Sequence, residues 1–389
     1  MRGYRVLDLS VFAQGGVAGG LLRELGADVI KVERPSGDPG RRLSVLPGGV
    51  SSFFEPMNRG KRSIALDLAR DEGREVVLRL AEQTDVFLQN ARPGVMERLG
   101  LGYEALRERN PAIIYAHGTG YGLDGPEAGA AVVDIVGQAR AGLASVTGDA
   151  APTPAGAILS DHLGAVYLAV GVLGALVHRE RTGEGQMVEC SMLGAMIAAQ
   201  QWEFSHYLFT DESPRRSGRG RQLFFSLWGI FEMQDGFLAL AGVPEPAWAA
   251  FAALIGATDL IDDPRFVDQM GRREHSDELA EEVARRLRAL PMSDVLQEAL
   301  VLGVRCTAVQ DYRALAADPQ VAANAYVRHV DHPTLGPTRV TGNPIRYGTT
   351  PLDVPVAAPG LGADTDATLA EAGYAPEERA RLRADGIVG

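Results

Sequence analysis

Residues 1–116 alternate short apolar segments with amphipathic ones, and this alternation constrains the fold more than any other feature of the chain. It predicts five strands, at residues 5–9, 28–32, 63–66, 85–89 and 113–116. Helices are predicted between them, at residues 15–25, 71–83 and 103–109. Strands that alternate with helices over short links are typical of a parallel sheet with helices on both faces. The sequence therefore predicts an α/β fold with a Rossmann-like sheet.

The second half of the chain has a different pattern. Residues 192–209 predict one long helix, and the polar segment 211–221 lacks apolar periodicity and predicts a loop or hinge. A strand pair around Asp235-Gly236, followed by helices, indicates a separate α+β unit. We predict a large domain whose N-terminal part is residues 1–210 and whose C-terminal part is residues 328–389, with a small domain, residues 225–322, inserted between them.

Composition excludes several classes of protein. The 389 residues include 38 Lys and Arg against 50 Asp and Glu, a net charge of −12, which disfavours nucleic acid as a partner. The two cysteines, Cys190 and Cys306, exclude a disulfide scaffold and a cysteine-rich metal centre. None of the seven histidines forms an H-x-x-x-H or similar ligand pair flanked by carboxylates, so no metal site is expected.

Neither the N-terminus nor the apolar stretches predict a membrane partner. The segment MRGYRVLDLS lacks the apolar core of a signal peptide. The most apolar stretch, Leu163–Val177, has 15 residues, whereas a membrane span needs about 20. We expect a buried helix there and a cytoplasmic protein.

Glycine is enriched, at 46 of 389 residues, or about 12% against a usual value of about 7%. The cluster GGVAGG at Gly15–Gly20 follows the first strand, as in a dinucleotide-binding loop. However, Val17 occupies the third position, where that motif requires glycine. The cluster instead predicts a helix that packs close to the sheet.

Four basic residues lie near strand ends, where open α/β sheets bind ligands. Arg34 and Arg92 follow the second and fourth strands, and Lys61 and Arg62 lead into the third. Each is individually typical of a solvated surface. Together, interleaved with glycine and proline, they favour a polyanionic small molecule that is held by charge-assisted hydrogen bonds.

Asp161 precedes a nearly continuous apolar helix, in the segment AILSDHLGAVYLAV. Aspartate is a favoured N-cap, because its carboxylate accepts hydrogen bonds from the unpaired N–H groups of the first turn. A carboxylate at a helix start is also held in place and ionised, which suits a nucleophile. The residues alone leave both interpretations open.

Several ordered motifs extend from one end of the chain to the other, including RVLDLS, LGADVIKVERPSGD, NRGKRSIALDL and VHRERTGEGQMVECSML. Through them the chain resembles the family III CoA transferases of the CaiB/BaiF type, the group of formyl-CoA and carnitine CoA transferases. The resemblance implies a homodimer of two interlocked chains. It also implies that coenzyme A and acyl-CoA are substrates and that no cofactor is tightly bound.

The implied reaction moves CoA from an acyl-CoA donor to a carboxylic acid acceptor. Asp161 occupies the position of the family nucleophile, which forms a mixed anhydride and then an aspartyl-CoA thioester. A model aspartate has a pKa near 3.9, so it is ionised at neutral pH without an activating base. Covalent capture divides one difficult exchange into easier steps.

Positions matching the family motifs imply two groups of binding residues. The CoA-binding group is Arg34, Lys61, Arg62, Asn90 and Arg92. The substrate-pocket group is Phe12, Ala13, Gln14, Gly15, Tyr121, Gly218 and Gly220.

The chain also departs from its family. Ala91 replaces the usual aromatic residue of the N-F-R-P-G segment, and residues 217–222 contain only two glycines where relatives have a glycine-rich lid. The family includes α-methylacyl-CoA racemases, but Val133 stands where those enzymes have their histidine base. The alternatives to a CoA transferase are a racemase or isomerase of the same family and a CoA-binding protein without turnover.

Overall fold

The computed structural model describes residues 1–216, 226–352 and 355–389. These residues form two compact units. The large unit comprises residues 1–141, 156–199 and 319–389, and the small unit comprises residues 142–155 and 200–318. Residues 142–155 and 200–210 thus belong to the small unit, whereas the sequence assigned them to the large domain.

The strands of the described chain are β1 (Arg5–Asp8), β2 (Asp28–Glu33), β3 (Arg62–Ala65), β4 (Val86–Gln89), β5 (Ile114–Thr119), β6 (Met187–Ser191), β7 (Trp228–Met233), β8 (Gly236–Ala241), β9 (Cys306–Ala308), β10 (Val327–His332) and β11 (Gly336–Thr341). The helices are α1 (Phe12–Glu24), α2 (Phe54–Asn58), α3 (Asp71–Ala81), α4 (Val95–Arg98), α5 (Tyr103–Arg109), α6 (Asp134–Arg140), α7 (Leu143–Val146), α8 (Leu159–Thr182), α9 (Met192–Ala199), α10 (Gln201–Thr210), α11 (Trp248–Leu254), α12 (Gln269–Glu274), α13 (Ser276–Leu287), α14 (Met292–Val301), α15 (Tyr312–Ala317), α16 (Pro319–Ala323), α17 (Thr365–Glu371) and α18 (Pro376–Ala384).

A six-stranded sheet organises the large unit, in the order β3-β2-β1-β4-β5-β6. Each neighbouring pair is parallel, which confirms the predicted α/β fold. Parallel strands are covered on both faces and are therefore apolar throughout, as in β4, which is buried along its whole length. The strand order reverses between β1 and β4, and such a switch point leaves a crevice at the carboxyl ends of the strands.

Helix α1 packs unusually close to its neighbours. A Cβ at Gly15 would lie 2.1 Å from the Cβ of Ser10, and a Cβ at Gly20 would lie 2.8 Å from the carbonyl oxygen of Met57. Glycine is thus needed at both positions. A Cβ at Gly19 would lie 2.7 Å from Oδ2 of Asp8 in strand β1, so the predicted close packing on the sheet is confirmed. The helix begins at Phe12, earlier than the predicted start at Gly15.

A buried ionic network joins helix α1 to strands β1 and β3. The Nζ of Lys61 donates to Asp8 Oδ2 at 2.8 Å, to the Gly16 carbonyl at 2.9 Å and to Asn58 Oδ1 at 2.8 Å. Burial lowers the pKa of Lys61 to about 8, although Asp8 opposes that shift. Burial alone would raise the pKa of Asp8, but Lys61 and Lys31 outweigh it and hold that pKa below its ordinary value.

Helix α8 is long and apolar enough, by length and composition, to cross a membrane, and 44% of its most apolar window is buried in this structure. Its inner face, which includes Ala165, Leu168 and Val172, belongs to one core cluster with residues of β1, β4 and β5. The described fold therefore uses this helix as a core element with one exposed side.

The small unit is built on an antiparallel sheet in the order β7-β8-β9. The predicted strand pair around Asp235-Gly236 is present as β7 and β8. The core of the small unit includes Phe231, Phe251 and Phe266. The single helix predicted at 192–209 is wrong, because α9 ends at Ala199 and α10 begins at Gln201.

Replacing Asp8 by asparagine should destabilise the chain by about 3–5 kcal/mol, because the buried Lys61 ammonium loses its counter-charge. Adding Lys61→Met should recover most of that loss. The free energy of unfolding in urea at pH 7 measures both. As the control, Arg383→Met breaks the exposed Arg383–Asp366 pair and should cost less than about 1 kcal/mol. Equal losses for Asp8→Asn and Arg383→Met would contradict a structural role of the buried pair.

Candidate active site

The large unit contains a cavity of about 530 Å³, a volume typical of small-molecule sites. It lies where the segments that follow β1, β4 and β5 meet the start of α8, at the switch point of the sheet. Its walls come from residues 11–14, 90–93, 118–120 and 128–134, together with Asp161 and a few apolar side chains.

Asp161 lies in the first turn of helix α8 and lines this cavity. Its Oδ1 accepts a hydrogen bond of 3.1 Å from the backbone N–H of Gln14 in helix α1. The N-cap interpretation of Asp161 is wrong, because Asp134 caps helix α8. The Oδ1 of Asp134 accepts from the Ser160 N–H at 2.8 Å. The carboxylate of Asp161 is therefore held toward helix α1 and the cavity.

The charge on Asp161 is poorly stabilised. Burial, and then the nearby Asp134 carboxylate, raise its pKa to about 6, while the N–H of Gln14 opposes the rise. The expectation of an ordinary aspartate pKa is thus corrected. In roughly nine tenths of the molecules Asp161 is still ionised at pH 7. The Asp161 carboxylate is therefore ionised at neutral pH and is also more basic than an ordinary aspartate.

Gln14 fixes the geometry around Asp161. Its buried side-chain Nε2 donates to the carbonyl oxygens of Thr119 at 3.2 Å and Cys190 at 3.3 Å. A Cβ at Gly118 would lie 2.8 Å from Gln14 Oε1, so glycine leaves room for the amide there. These contacts fasten the first turn of α1 to the ends of β5 and β6 and direct the Gln14 N–H at Asp161.

Asn90 joins the two sides of the switch point. Its Nδ2 donates to the Val11 carbonyl at 2.8 Å, and its Oδ1 accepts from the Val11 N–H at 2.9 Å. Phe12, which follows Val11, has a φ of 59°, and this conformation is strained for a bulky side chain. Asn90 therefore lines the cavity, but its amide is used to hold the entry to helix α1.

The structure brings several other predicted residues to the cavity. Phe12, Ala13, Gln14, Asn90 and Arg92 all line it. The Arg92 side chain is exposed and has no hydrogen bond or ion pair within the part of the chain that the structure describes.

Two other pocket residues are placed elsewhere. Gly15 packs against Ser10 instead of lining the cavity. Tyr121 is not part of the described lining, and its ring lies 5.9 Å from the guanidinium of Arg140. Gly218 and Gly220 lie outside the described residues.

Three predicted basic residues do not reach the cavity within this unit. Lys61 is buried in its ion pair with Asp8, so its ammonium is not available to a phosphate. Arg62 lies at the start of β3, at the opposite edge of the sheet, and pairs with Asp28 and Glu371. Arg34 is exposed after β2 and donates through Nε to the Gly37 carbonyl at 3.1 Å.

Asp134 is a charged site residue that the sequence did not identify. Its carboxylate caps helix α8 and raises the pKa of Asp161. No helix pattern marks it as a cap, because it precedes the helix that it caps by more than twenty residues. The available signal was its place directly after Val133, in the segment compared with the racemases. Only the fold brings Asp134 and Asp161 together.

The fold and the site define an α/β protein with a carboxylate nucleophile candidate at the switch point of a Rossmann-like sheet. The chain belongs to CoA-transferase family III, whose sequence profile matches residues 1–365. It is accordingly an enzyme, a CoA transferase of that family.

Three similar proteins illustrate the range of the family. A probable fatty acyl-CoA transferase of Mycobacterium tuberculosis is 35% identical over 342 residues, covering 83% of this chain and 85% of that protein. A succinyl-CoA:mesaconate CoA-transferase of Haloarcula marismortui is 34% identical over 384 residues, covering 95% of each. The crystal structure of a CaiB/BaiF family protein from Brucella suis superposes with a TM-score of 0.85 at 30% identity, covering 95% of this chain and 98% of that one.

Replacing Asp161 by asparagine should stabilise the protein at pH 8 by about 1–3 kcal/mol and have little effect near pH 4. The folded pKa of Asp161, about 6, lies above the unfolded value near 3.9. The contribution of Asp161 to stability is therefore complete below pH 4 and lost as the pH rises through 6. Unfolding midpoints at pH 4, 6 and 8 measure this. Asp124→Asn, at an exposed aspartate, is the control and should show no such pH dependence. A destabilised Asp161→Asn at pH 8 would contradict the raised pKa.

Proposed function

We propose that this enzyme exchanges CoA between an acyl-CoA and a free carboxylic acid, with Asp161 as the covalent nucleophile. The observation that supports the proposal is the position of the Asp161 carboxylate, which lines the cavity and accepts a hydrogen bond from the Gln14 N–H. An ionised carboxylate of raised basicity can attack a thioester without a separate base.

The exchange proceeds in four acyl transfers. An Asp161 oxygen bonds to the thioester carbon, the C–S bond breaks, and CoA leaves as thiolate. The thiolate attacks the Asp161 carbonyl carbon and releases the donor acid as carboxylate, which leaves an aspartyl-CoA thioester. The acceptor carboxylate attacks that thioester and again releases the thiolate. The thiolate then attacks the acceptor acyl carbon, which forms the new acyl-CoA and regenerates Asp161. One negative charge passes through every step and no net proton is required.

Each transfer passes through an oxyanion, which needs donors directed at it. The first turn of α1 supplies them in this proposal. Phe12 and Ala13 line the cavity, and their N–H groups have no acceptor within the described residues. The partial positive charge of a helix N-terminus adds to their effect.

For the CoA moiety, we propose Arg92 as a phosphate contact. It is the basic residue among the described residues that line the cavity. Arg34, exposed after β2, is a second candidate. CoA and acyl-CoA act as substrates in this proposal, and no tightly bound cofactor is involved.

The alternative activities are less well supported. A racemase needs a proton-transferring base beside the α-carbon. Val133, at the position of the family's racemase histidine, lines the cavity and cannot transfer a proton. A CoA-binding protein without turnover does not explain a carboxylate with a raised pKa in the cavity.

Asp161→Ala should lower the rate of CoA exchange at least about a thousandfold, because the covalent route is lost. In the unmodified protein, acyl-CoA followed by hydroxylamine should convert one carboxyl to a hydroxamate, located at Asp161 by peptide mass spectrometry. His162→Gln changes the exposed neighbouring side chain and is the matched control. Near-normal exchange by Asp161→Ala, or labelling at another carboxyl, would refute the assignment. Exchange of an α-proton with heavy water in the absence of any acid would favour the racemase.

We also propose a homodimer that covers the outer face of helix α8. Val166, Val170 and Val177 lie on one side of that helix and are 43%, 58% and 54% exposed. A row of apolar side chains on a protein surface marks an interaction site. A membrane is the less suitable occupant, because the first turn of the same helix carries the ionisable Asp161 at the cavity. The proposed location is the cytoplasm.

Val170→Glu should shift the protein from dimer toward monomer, because it places a charge in the apolar row. Light scattering coupled to size-exclusion chromatography measures the mass. Val267→Glu, at a valine of the small unit with 55% exposure, is the control and should leave the mass unchanged. A monomer in the unmodified protein would refute the dimer.

A further inference from the structure

The cavity around Asp161 has mostly apolar walls. Phe12, Ala91, Val132, Ile158 and Met192 contribute to them. Phe12 is 46% exposed, and its backbone is strained. The fold thus holds an aromatic side chain at the cavity wall despite a conformational cost. Burial of apolar substrate groups against an apolar wall is favourable, whereas such a wall offers no counter-charge to a charged group.

The charges that line the cavity also disfavour a second negative charge on the substrate. Asp134 and Asp161 both line it, and Arg92 is the basic residue within the described lining. Two other cations of the large unit are already paired. Arg41 is bound by Glu33 and by the Pro359 carbonyl, and Lys61 is bound by Asp8. A second carboxylate on the substrate would add negative charge to a partly buried site that already holds two carboxylates.

We propose that the acid exchanged at Asp161 is a monocarboxylic acid with an apolar chain, and that the small side chain of Ala91 leaves room for that chain. This inference rests on the proposed CoA exchange at Asp161 and names the substrate class of the same site. It distinguishes the chain from relatives that are named for dicarboxylic acids.

Ala91 has the geometry of a size-determining residue because its backbone is held from both sides. Its N–H donates to Gln89 Oε1 at 2.7 Å, and its carbonyl accepts from His117 Nε2 at 2.8 Å. His117 itself is buried beneath it. Ala91 lines the cavity and also packs against the adjoining hydrophobic core of the large unit. Because that core is closely packed and the loop is held, a larger side chain at position 91 has to take its space from the cavity. The small side chain leaves the space that an extended acyl chain requires.

The first test compares matched acids as acceptors with a common acetyl-CoA donor. Butyrate is compared with succinate, valerate with glutarate, and straight-chain acids are then followed up to octanoate. The monocarboxylate of each pair should have a kcat/KM at least tenfold higher. Within the straight-chain series, kcat/KM should rise about threefold to fourfold per methylene.

The outcomes of this test separate the two proposals. Equal or faster exchange of the dicarboxylates overturns the present inference and leaves the proposed CoA transfer intact. Absence of exchange with every acid, from acetyl-CoA and from succinyl-CoA, overturns the proposed function itself.

The second test changes the cavity at position 91. Ala91→Phe should lower the ratio of kcat/KM for octanoate to that for acetate at least tenfold. Ala91→Val, a smaller change, should lower it less. Ala69→Phe makes the same substitution at an exposed alanine outside the cavity lining. It is the control, with a ratio close to that of the unmodified protein. Thermal unfolding midpoints identify any variant that fails to fold. An unchanged ratio in a folded Ala91→Phe or Ala91→Val overturns the role of Ala91.

Discussion

The close approach of helix α1 to the sheet is the constraint on which the rest of the site depends. Glycine at position 19, where a Cβ would lie 2.7 Å from Oδ2 of Asp8 in β1, allows that approach, and the buried Asp8–Lys61 pair forms beneath the helix. Because the helix is held at this depth, its first turn reaches the switch point, where the Gln14 N–H meets Asp161. An element that is needed for packing thus also supplies the donor that orients the nucleophile.

The sheet was predictable from sequence because its strands are short, apolar and bounded by turns, and local pattern is sufficient for such segments. The start of α1 was not predictable, since the chain enters the helix through a φ of 59° at Phe12, next to a Val11 backbone that the distant Asn90 side chain holds. No sequence periodicity carries that information.

The candidate site was predictable only in part. Asp161, Gln14 and Arg92 were identified, because family motifs mark their positions, and the structure brings them to one cavity. Lys61 was misplaced because a lysine flanked by arginines and glycine is typical of an exposed surface. Its burial depends on Asp8, which lies far away in sequence. Pairings between distant residues arise from the tertiary fold, and local patterns do not contain them.

The contact between Gln14 and Gly118 has a consequence for how this site can vary among related chains. A side chain at 118 would displace the Gln14 amide and break its bonds to Thr119 and Cys190. The two positions are therefore coupled, and the order of change matters. A lineage can first shorten residue 14 and afterwards enlarge residue 118. The reverse order passes through an intermediate in which the first turn of α1 has lost the attachment that the Gln14 side chain provides. Natural variation at 118 should therefore be found beside a small residue at 14.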